Sequence, residues 1–284
     1  MILVTGASGT VGREVVRGLV AAGAKFRAGY SSEEKARKAR TGVVETVVAD
    51  FASADSLRVA MKGCDHLFLL SGGQRDQADL ESNAVRAAEA AGIKHVVKLS
   101  VWGAEGEEFS FARLHRPVEQ LIESTDLGWT FLRPNGFMQN VVNFYAETIR
   151  TQSAIYQPAA SASVSHVDVR DVAAVAVKAL TEPGYMGKAY TLSGPEALTH
   201  AQLAEKISAY LGRKVSYVPV SDGAARQAMI VSGIPDWYAD WVLDLTHYYV
   251  AGKAARVTPT VREVLGREAG SFDNFLKDSG RALR

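Results

Sequence analysis

The sequence predicts an α/β protein, a doubly wound parallel sheet with a smaller C-terminal lobe. Three observations predict it. Short apolar runs alternate with helical patterns through the first half of the 284 residues. The runs are apolar along their whole length, as strands covered on both faces of a parallel sheet must be. The first run also stops at a glycine that opens the series Gly6, Gly9, Gly12, just before a helical pattern.

Met1–Thr5 reads as the first strand and Gly9–Ala22 as the helix after it, with Val11, Val15, Val16, Leu19 and Val20 at helical spacing. Lys25–Tyr30 is the second strand, Ser32–Arg40 a helix and Val43–Ala49 the third strand. Ser53–Lys62 is a helix with Ser53 as its N-cap. His66–Leu70 is strand four, Gln74–Ala91 a helix stopped by Gly92, and His95–Leu99 strand five. Arg113–Ser124 is a helix and Trp129–Leu132 strand six. Beyond Arg133-Pro134 the alternation loosens. Helices are expected at Val141–Arg150, Val169–Leu180 and Ala201–Leu211, strands at Ala189–Leu192 and Val215–Val218, and a loop over the alanine- and serine-rich Ala159–Ser165. The tail is helical and carries the aromatic cluster Trp237, Tyr238, Trp241, Tyr248 and Tyr249; Trp237, Trp241 and Tyr248 recur at roughly helical spacing, which points to core or dimer packing. Two domains follow: residues 1–134 bind a dinucleotide, and residues 135–284 form a smaller, mostly helical substrate lobe with segments returning to the sheet.

Composition narrows the function. With 47% hydrophobic and 22% charged residues and a formal net charge of +1, the chain has no bulk electrostatic attraction for nucleic acid or an anionic membrane. No apolar run reaches transmembrane length, and the N-terminus is already a strand rather than a signal peptide. The single cysteine, Cys64, rules out an internal disulfide framework and fits a reducing cytoplasm. No His/Cys/Asp/Glu cluster has metal-ligand spacing, and no G-x-S-x-G elbow marks a hydrolase.

The glycine series carries the chemistry. Gly6 permits the tight turn, Gly9 lets backbone amides approach a pyrophosphate, and Gly12 lets the helix pack against the strand. The phosphates then lie at a positive helix N-terminus. This is a Rossmann-like dinucleotide site, with Gly6, Ser8, Gly9, Thr10, Val11 and Gly12 as its cofactor-binding residues.

The opening Thr5-Gly6-Ala7-Ser8-Gly9-Thr10-Val11-Gly12 resembles the atypical short-chain dehydrogenase/reductase superfamily. Later stretches resemble its NmrA-like branch. They are Val48-Ala49-Asp50-Phe51, Lys98-Leu99-Ser100-Val101-Trp102-Gly103-Ala104, His115-Arg116-Pro117-Val118-Glu119, Thr130 to Phe137, Val167 to Ala173 and Leu192 to Glu196. That branch holds NAD(P)H-dependent quinone, azo-dye and triphenylmethane-dye reductases and also non-catalytic redox-sensing regulators. The resemblance implies that Asp50 and Phe51 contact adenine and that Leu70, Ser71 and Gly72 run along the ribose and nicotinamide. On the residues alone, Asp50 is equally a turn former and Gly72 part of an ordinary turn.

The end of strand two selects the cofactor. An acid there binds the ribose 2′-hydroxyl of NAD, and a cation takes the 2′-phosphate of NADP. The chain reads Gly29-Tyr30-Ser31-Ser32-Glu33-Glu34-Lys35. Ser31, Ser32 and Lys35 favour NADP(H) over NAD(H), although Ser31 stands where the branch often has arginine and Glu33 is near.

The Tyr-x-x-x-Lys pair of typical short-chain dehydrogenases, in which lysine tunes tyrosine for proton transfer, is missing from the helix after strand five. Tyr210/Lys214 and Tyr249/Lys253 match that spacing elsewhere and read as coincidences. His115 is the candidate proton donor on the expected helix, able to titrate near neutrality, with helix packing as its alternative. Ser100, at a strand end, is the second catalytic candidate, with capping as its alternative. Trp102, Phe137, Met138 and Asn140 are candidates for the wall of a planar substrate's site, with packing between the lobes as the other reading. Asp168, Arg170 and Asp171 open a helix and read as structural.

The expected activity is hydride transfer from NAD(P)H to a small planar aromatic acceptor such as a quinone or dye, a class that includes biosynthetic tailoring steps, by a cytoplasmic monomer or homodimer. The alternative is a non-catalytic NAD(P)-binding redox sensor regulating a partner protein.

Overall fold

The computed structural model describes residues 1–40, 42 and 44–284. The chain forms two compact units. Unit 1 comprises Met1–Glu105, Leu114–Arg133 and Val169–Tyr190, and unit 2 comprises Gly106–Arg113, Pro134–Asp168 and Thr191–Arg284. Of residues 135–284, Val169–Tyr190 belong to unit 1, and Gly106–Arg113 of the leading half belong to unit 2.

Unit 1 is built on β1 (Ile2–Val4), α1 (Thr10–Ala21), β2 (Phe26–Tyr30), α2 (Glu33–Lys38), β3 (Glu45–Val48), α3 (Ala54–Met61), β4 (His66–Leu69), α4 (Gln77–Ala90) and β5 (His95–Leu99). It continues through α5 (Ser110–Glu123), which starts in unit 2, and β6 (Gly128–Pro134). The seven-stranded sheet has the order β3-β2-β1-β4-β5-β6-β9, with β9 at Lys188–Leu192. The pairs among β1 to β6 are parallel, with Ile2 opposite Phe26 on one side and His66 on the other. The winding reverses between β1 and β4, which makes their carboxyl ends the switch point where open α/β sheets bind ligands.

The strands form where the apolar runs predicted them, because both faces are covered. Leu3, Leu67, Leu69 and Val96 are fully buried with Leu57, Met61, Val85, Ile122 and Phe131. Enclosing each such leucine contributes about 1.5–3 kcal/mol. On the opposite face α1 lies against a later helix, Val169–Thr181: a methyl group on Gly18 would come within 2.8 Å of Val177 Cγ2. Strand three is shorter than its expected span, and Val43, where that span begins, lies outside the described residues. Helix α5 begins at Ser110 rather than Arg113. The reason is Asp244, whose Oδ2 accepts both the Ser110 backbone N–H and its hydroxyl at 2.7 Å.

Unit 2 contains α6 (Gln139–Gln152), β7 (Ala154–Gln157) and β8 (Ser163–Val164). After α7 (Val169–Thr181) and β9 have served unit 1, it continues with β10 (Leu198–Thr199), α8 (His200–Leu211), β11 (Ser216–Pro219), α9 (Asp222–Val231), α10 (Asp236–Val250), α11 (Thr260–Leu265) and α12 (Phe272–Ser279). Two strand pairs correct the sequence reading. β7 pairs in parallel with β11, and β8, inside the expected loop Ala159–Ser165, pairs with β10. These ladders are too short to leave a periodic pattern; they are held by Ile155 and Leu198 entering a core with Ile149, Leu203, Ile207, Phe272 and Phe275. Helix α8 starts with a full capping box, Thr199 and Gln202 bonding each other's backbone N–H.

The aromatic residues of α10 pack within unit 2. Trp237 and Trp241 sit 4.7 Å apart, Trp241 meets Phe111 at 5.8 Å, and Tyr248 meets Phe109 at 4.6 Å between centroids. Among the described residues no helix is long and apolar enough to cross a membrane.

Candidate active site

At the carboxyl end of β1 the glycine turn is sterically fixed. Gly6 has φ of 62°, and a side chain there would meet Leu70 Cγ and its carbonyl oxygen at 2.8 Å. A methyl on Gly12 would stand 2.1 Å from the Gly6 oxygen, so only glycine lets α1 close on the turn. Gly9 caps α1 with no side-chain hydrogen bond, and Ser8 and Gly9 are exposed. The first N–H groups of a twelve-residue helix thus face outward beside a backbone stripped of side chains. This donor set fits a dinucleotide pyrophosphate.

The sequence reading passed over Thr5. Its buried hydroxyl lies 2.9 Å from Phe68 O and 3.0 Å from Leu70 O, and accepts the Leu70 N–H at 2.9 Å. One side chain thereby ties the glycine turn to the loop Leu70-Ser71-Gly72 across the switch point.

At the end of β2, Lys35 Nζ donates to Ser31 Oγ at 3.0 Å, and Ser32 caps α2 through Oγ. Ser31 and Lys35 are exposed and Ser32 half-buried. Asp50 Oδ1 accepts the Ala52 N–H at 3.0 Å, a local turn bond that leaves the other carboxylate oxygen uncommitted to the turn. Phe51 belongs largely to the unit 1 core, at 9% exposure.

Between β4, β5 and α5 lies a buried ionic network that sequence reasoning missed. Lys98 and Glu81 are fully buried and paired. Lys98 Nζ also reaches Leu99 O at 3.3 Å and His115 Nδ1 at 3.1 Å, which accounts for all three ammonium protons. Glu81 Oε1 accepts from Ser71 Oγ at 2.7 Å and Gln77 Nε2 at 3.2 Å. The available signal was a lysine inside an otherwise apolar strand, since a buried ammonium demands a partner.

This network corrects the expectation for His115. Burial, reinforced by the Lys98 charge, holds its imidazole well below the usual 6.5. A lysine donating to Nδ1 leaves the ring proton on Nε2. His115 is neutral at pH 7 and does not titrate near neutrality.

Ser100 is 4% exposed, and its hydroxyl has no well-aligned hydrogen-bond partner among the described residues. It lies close enough to Glu119 to help keep that carboxyl ionised. Glu119 is fully buried, gripped by Arg133 at 3.0 and 2.7 Å and by Arg116 at 3.0 Å. Burial alone would raise its pKa, but the hydrogen bonds and charges of the arginines hold it below 4.5.

Of the expected substrate wall, Met138 is 1% exposed and packed in the unit 2 core, and Trp102 is 5% exposed. Both side chains are thus largely enclosed. Phe137 and Asn140 remain half-exposed. In the Tyr249/Lys253 match, Lys253 is engaged by Glu108 and lies over the Tyr248 ring at 5.8 Å. In the Tyr210/Lys214 match, the Tyr210 ring lies under the Arg284 guanidinium at 5.4 Å.

Comparison with known proteins matches this geometry. A family model described as NAD(P)H-binding covers residues 6–183. The chain is 37% identical over 284 residues to an NAD(P)H azoreductase of Xenophilus azovorans, covering 100% of this chain and 99% of that one. It is also 37% identical over 286 residues to (4-alkanoyl-5-oxo-2,5-dihydrofuran-3-yl)methyl phosphate reductase of Streptomyces griseus subsp. griseus, covering 100% and 99%. The solved triphenylmethane reductase of Citrobacter sp. complexed with NADP(H) superposes with a TM-score of 0.89 at 27% identity, over 98% of this chain and 100% of that one. These proteins are named as reductases and lend nothing to the sensor alternative.

Proposed function

This chain belongs to the NAD(P)H-binding family and is an NAD(P)H-dependent oxidoreductase, and from that premise we propose that it reduces small planar aromatic acceptors with NADPH. The observation that carries the reading is the glycine turn at the switch point, which Gly6 and Gly12 fix so that Gly9 and the α1 N-terminus stand open. When bound there, NADPH supplies hydride. The Gly6, Ser8, Gly9, Thr10, Val11 and Gly12 segment holds its pyrophosphate. Ser31, Ser32 and Lys35 take the 2′-phosphate, which the Lys35–Ser31 contact and the absence of an acid at positions 30–32 support. Asp50 and Phe51 border the adenine, and Leu70, Ser71 and Gly72 border the nicotinamide ribose.

The Lys98–Glu81 pair holds Ser71 from behind and keeps this loop in register. Unit 1 binds the cofactor, and unit 2 carries the acceptor-binding groups, Phe137 and Asn140 among them. Positioning supplies most of the catalysis. Azo compounds, quinones and triphenylmethane dyes share a planar, electron-poor π-system, and the relatives named for two of these classes support that acceptor class. A single buried cysteine, Cys64, supports a reducing cytoplasmic setting, and the protein acts there as a monomer or homodimer.

The test is NADPH oxidation by the purified protein against a panel of quinones, azo compounds and cationic dyes. Saturable turnover, lost in Gly9→Asp, is expected. NADPH binding without turnover on any acceptor overturns the reading.

A further inference from the structure

Unit 2 holds two rings, each with a polar atom that has no hydrogen-bond partner among the described residues. Gly136 follows β6 directly. A methyl on its α-carbon would stand 3.2 Å from Tyr249 Oη, 3.2 Å from His166 Cδ2 and 3.5 Å from His166 Nε2. The phenol of α10 and the imidazole before Val167 therefore flank the bare backbone of Gly136, and all three residues keep part of their surface accessible. Tyr249 makes no hydrogen bond among the described residues, and burial near the Tyr145 phenol keeps it protonated, above the usual 10.0. His166 Nδ1 lies 3.2 Å from Val164 O. A carbonyl only accepts, so the ring proton is on Nδ1 and Nε2 carries a free lone pair. Burial and the neighbouring His200 hold His166 down at about 4, so the ring is neutral at pH 7. One donor and one acceptor thus border the same glycine, and no group among the described residues satisfies either.

We propose that Tyr249 and His166 form the acceptor's polar subsite, Tyr249 Oη donating a hydrogen bond and then its proton to the reduced acceptor, and His166 Nε2 receiving the new hydrogen-bond donor. The inference rests on the reductase reading and supplies the acid that the missing Tyr-x-x-x-Lys pair leaves open. With a quinone, one carbonyl oxygen gains hydride and its two electrons from NADPH, which is oxidised to NADP⁺, and the other oxygen becomes the anion. The Tyr249 O–H bond breaks, and its proton bonds to the anionic acceptor oxygen to give the hydroquinone. Water then reprotonates the phenolate. The product oxygen is itself phenolic, so the transfer runs between groups of the same class. An azo compound takes hydride at one nitrogen and the proton at the other. A triphenylmethane cation differs, because hydride on its central carbon neutralises the charge and no proton is needed.

That difference supplies the test. Tyr249→Phe, which loses no protein hydrogen bond, is compared with the wild-type enzyme on a benzoquinone and on a cationic triphenylmethane dye. The expected result is a fall in kcat with the quinone that exceeds the fall with the dye by at least ~30-fold, at an unchanged melting temperature, since a positioned acid contributes about 10²–10⁴-fold. Equal losses on both acceptors, or none on either, overturn the proposal while leaving the reductase reading intact. A second readout needs no turnover. Binding of 4-nitrophenolate, a coloured mimic of the anionic product, is expected to weaken about 10-fold in Tyr249→Phe, as loss of a hydrogen bond to a charged group implies. Unchanged affinity overturns the proposal even if the enzyme reduces no acceptor offered.

Discussion

The two units differ in the kind of polar group they bury. Unit 1 buries charges and satisfies them. Lys98 spends its three protons on Glu81, Leu99 O and His115, and Glu119 receives two arginines. Unit 2 encloses neutral rings, and some of their polar atoms have no partner among the described residues. His200 Nδ1 is enclosed without a partner while its ring stacks on Tyr217 at 5.6 Å, and Tyr249 makes no hydrogen bond among the described residues. Saturated networks fix geometry, because each contact restricts the next. Unsaturated polar atoms are an energetic cost that a ligand relieves. The contrast assigns rigidity to the unit proposed to hold the cofactor and chemical availability to the unit proposed to hold the acceptor.

The sharpest way to break this contrast is to cut the unit 1 network. Lys98→Met leaves Glu81 charged and unpaired in the interior, and a loss of about 3–5 kcal/mol is expected in urea unfolding. The double variant Lys98→Met/Glu81→Leu is expected to regain much of it. Equal losses in single and double variants would mean that packing, not pairing, is what the site supplies.

Gly12→Ala comes next. Its methyl would stand 2.1 Å from the Gly6 oxygen, so the turn must open. The Kd for NADPH is expected to rise at least ~100-fold, about 2.7 kcal/mol. Calorimetry that finds native affinity would remove the glycine turn from the cofactor site.

Acid titration probes both units. His95 in unit 1 and His166 and His200 in unit 2 are each held at about 4 by burial, below the ordinary 6.5. The unfolded chain therefore binds more protons than the native one between these values, so stability is full above pH 6.5 and declines as pH falls toward 4. Glu119 adds a second decline. Its folded pKa lies below 4.5, so its contribution is present above that value and lost as pH falls through the lower folded one. His200→Phe, which keeps the ring stack, is expected to flatten the first decline. A profile level from pH 7 to 5 in the wild-type protein would contradict the neutral-ring picture.

The smallest effect is expected at Lys35. Lys35→Ala should raise the KM for NADPH about 10-fold, the scale of one charge-assisted contact, and leave that for NADH within twofold. Parallel changes for both cofactors would detach Lys35 from the 2′-phosphate.

How much of this was legible in the chain depends on the range of the interaction. The six leading strands and the glycine turn were, because burial on two faces and a tight turn leave local marks in residue type. The start of α5 was not, because the group that caps Ser110 is Asp244 on another helix. β7, β8 and β10 were not, since each is held by one partner strand and a few core contacts rather than by its own pattern. In the candidate site, His115 was visible as a residue, but its charge state depends on a lysine from a neighbouring strand. Tyr249 was visible as a member of the tail's aromatic cluster and as half of a tyrosine–lysine spacing; Lys253 pairs with Glu108, and the phenol's proposed use comes from Gly136 and His166.

The sequence by itself determined the layered α/β fold and the place of the phosphate-binding turn. Both follow from short-range rules, where apolar residues repeat at the period of the element that buries them and glycine stands where no side chain fits. Only the tertiary structure decided which charges are paired, which histidines are neutral and which polar atoms remain without a partner. Those properties belong to distances between residues far apart in the chain, and no local pattern records them.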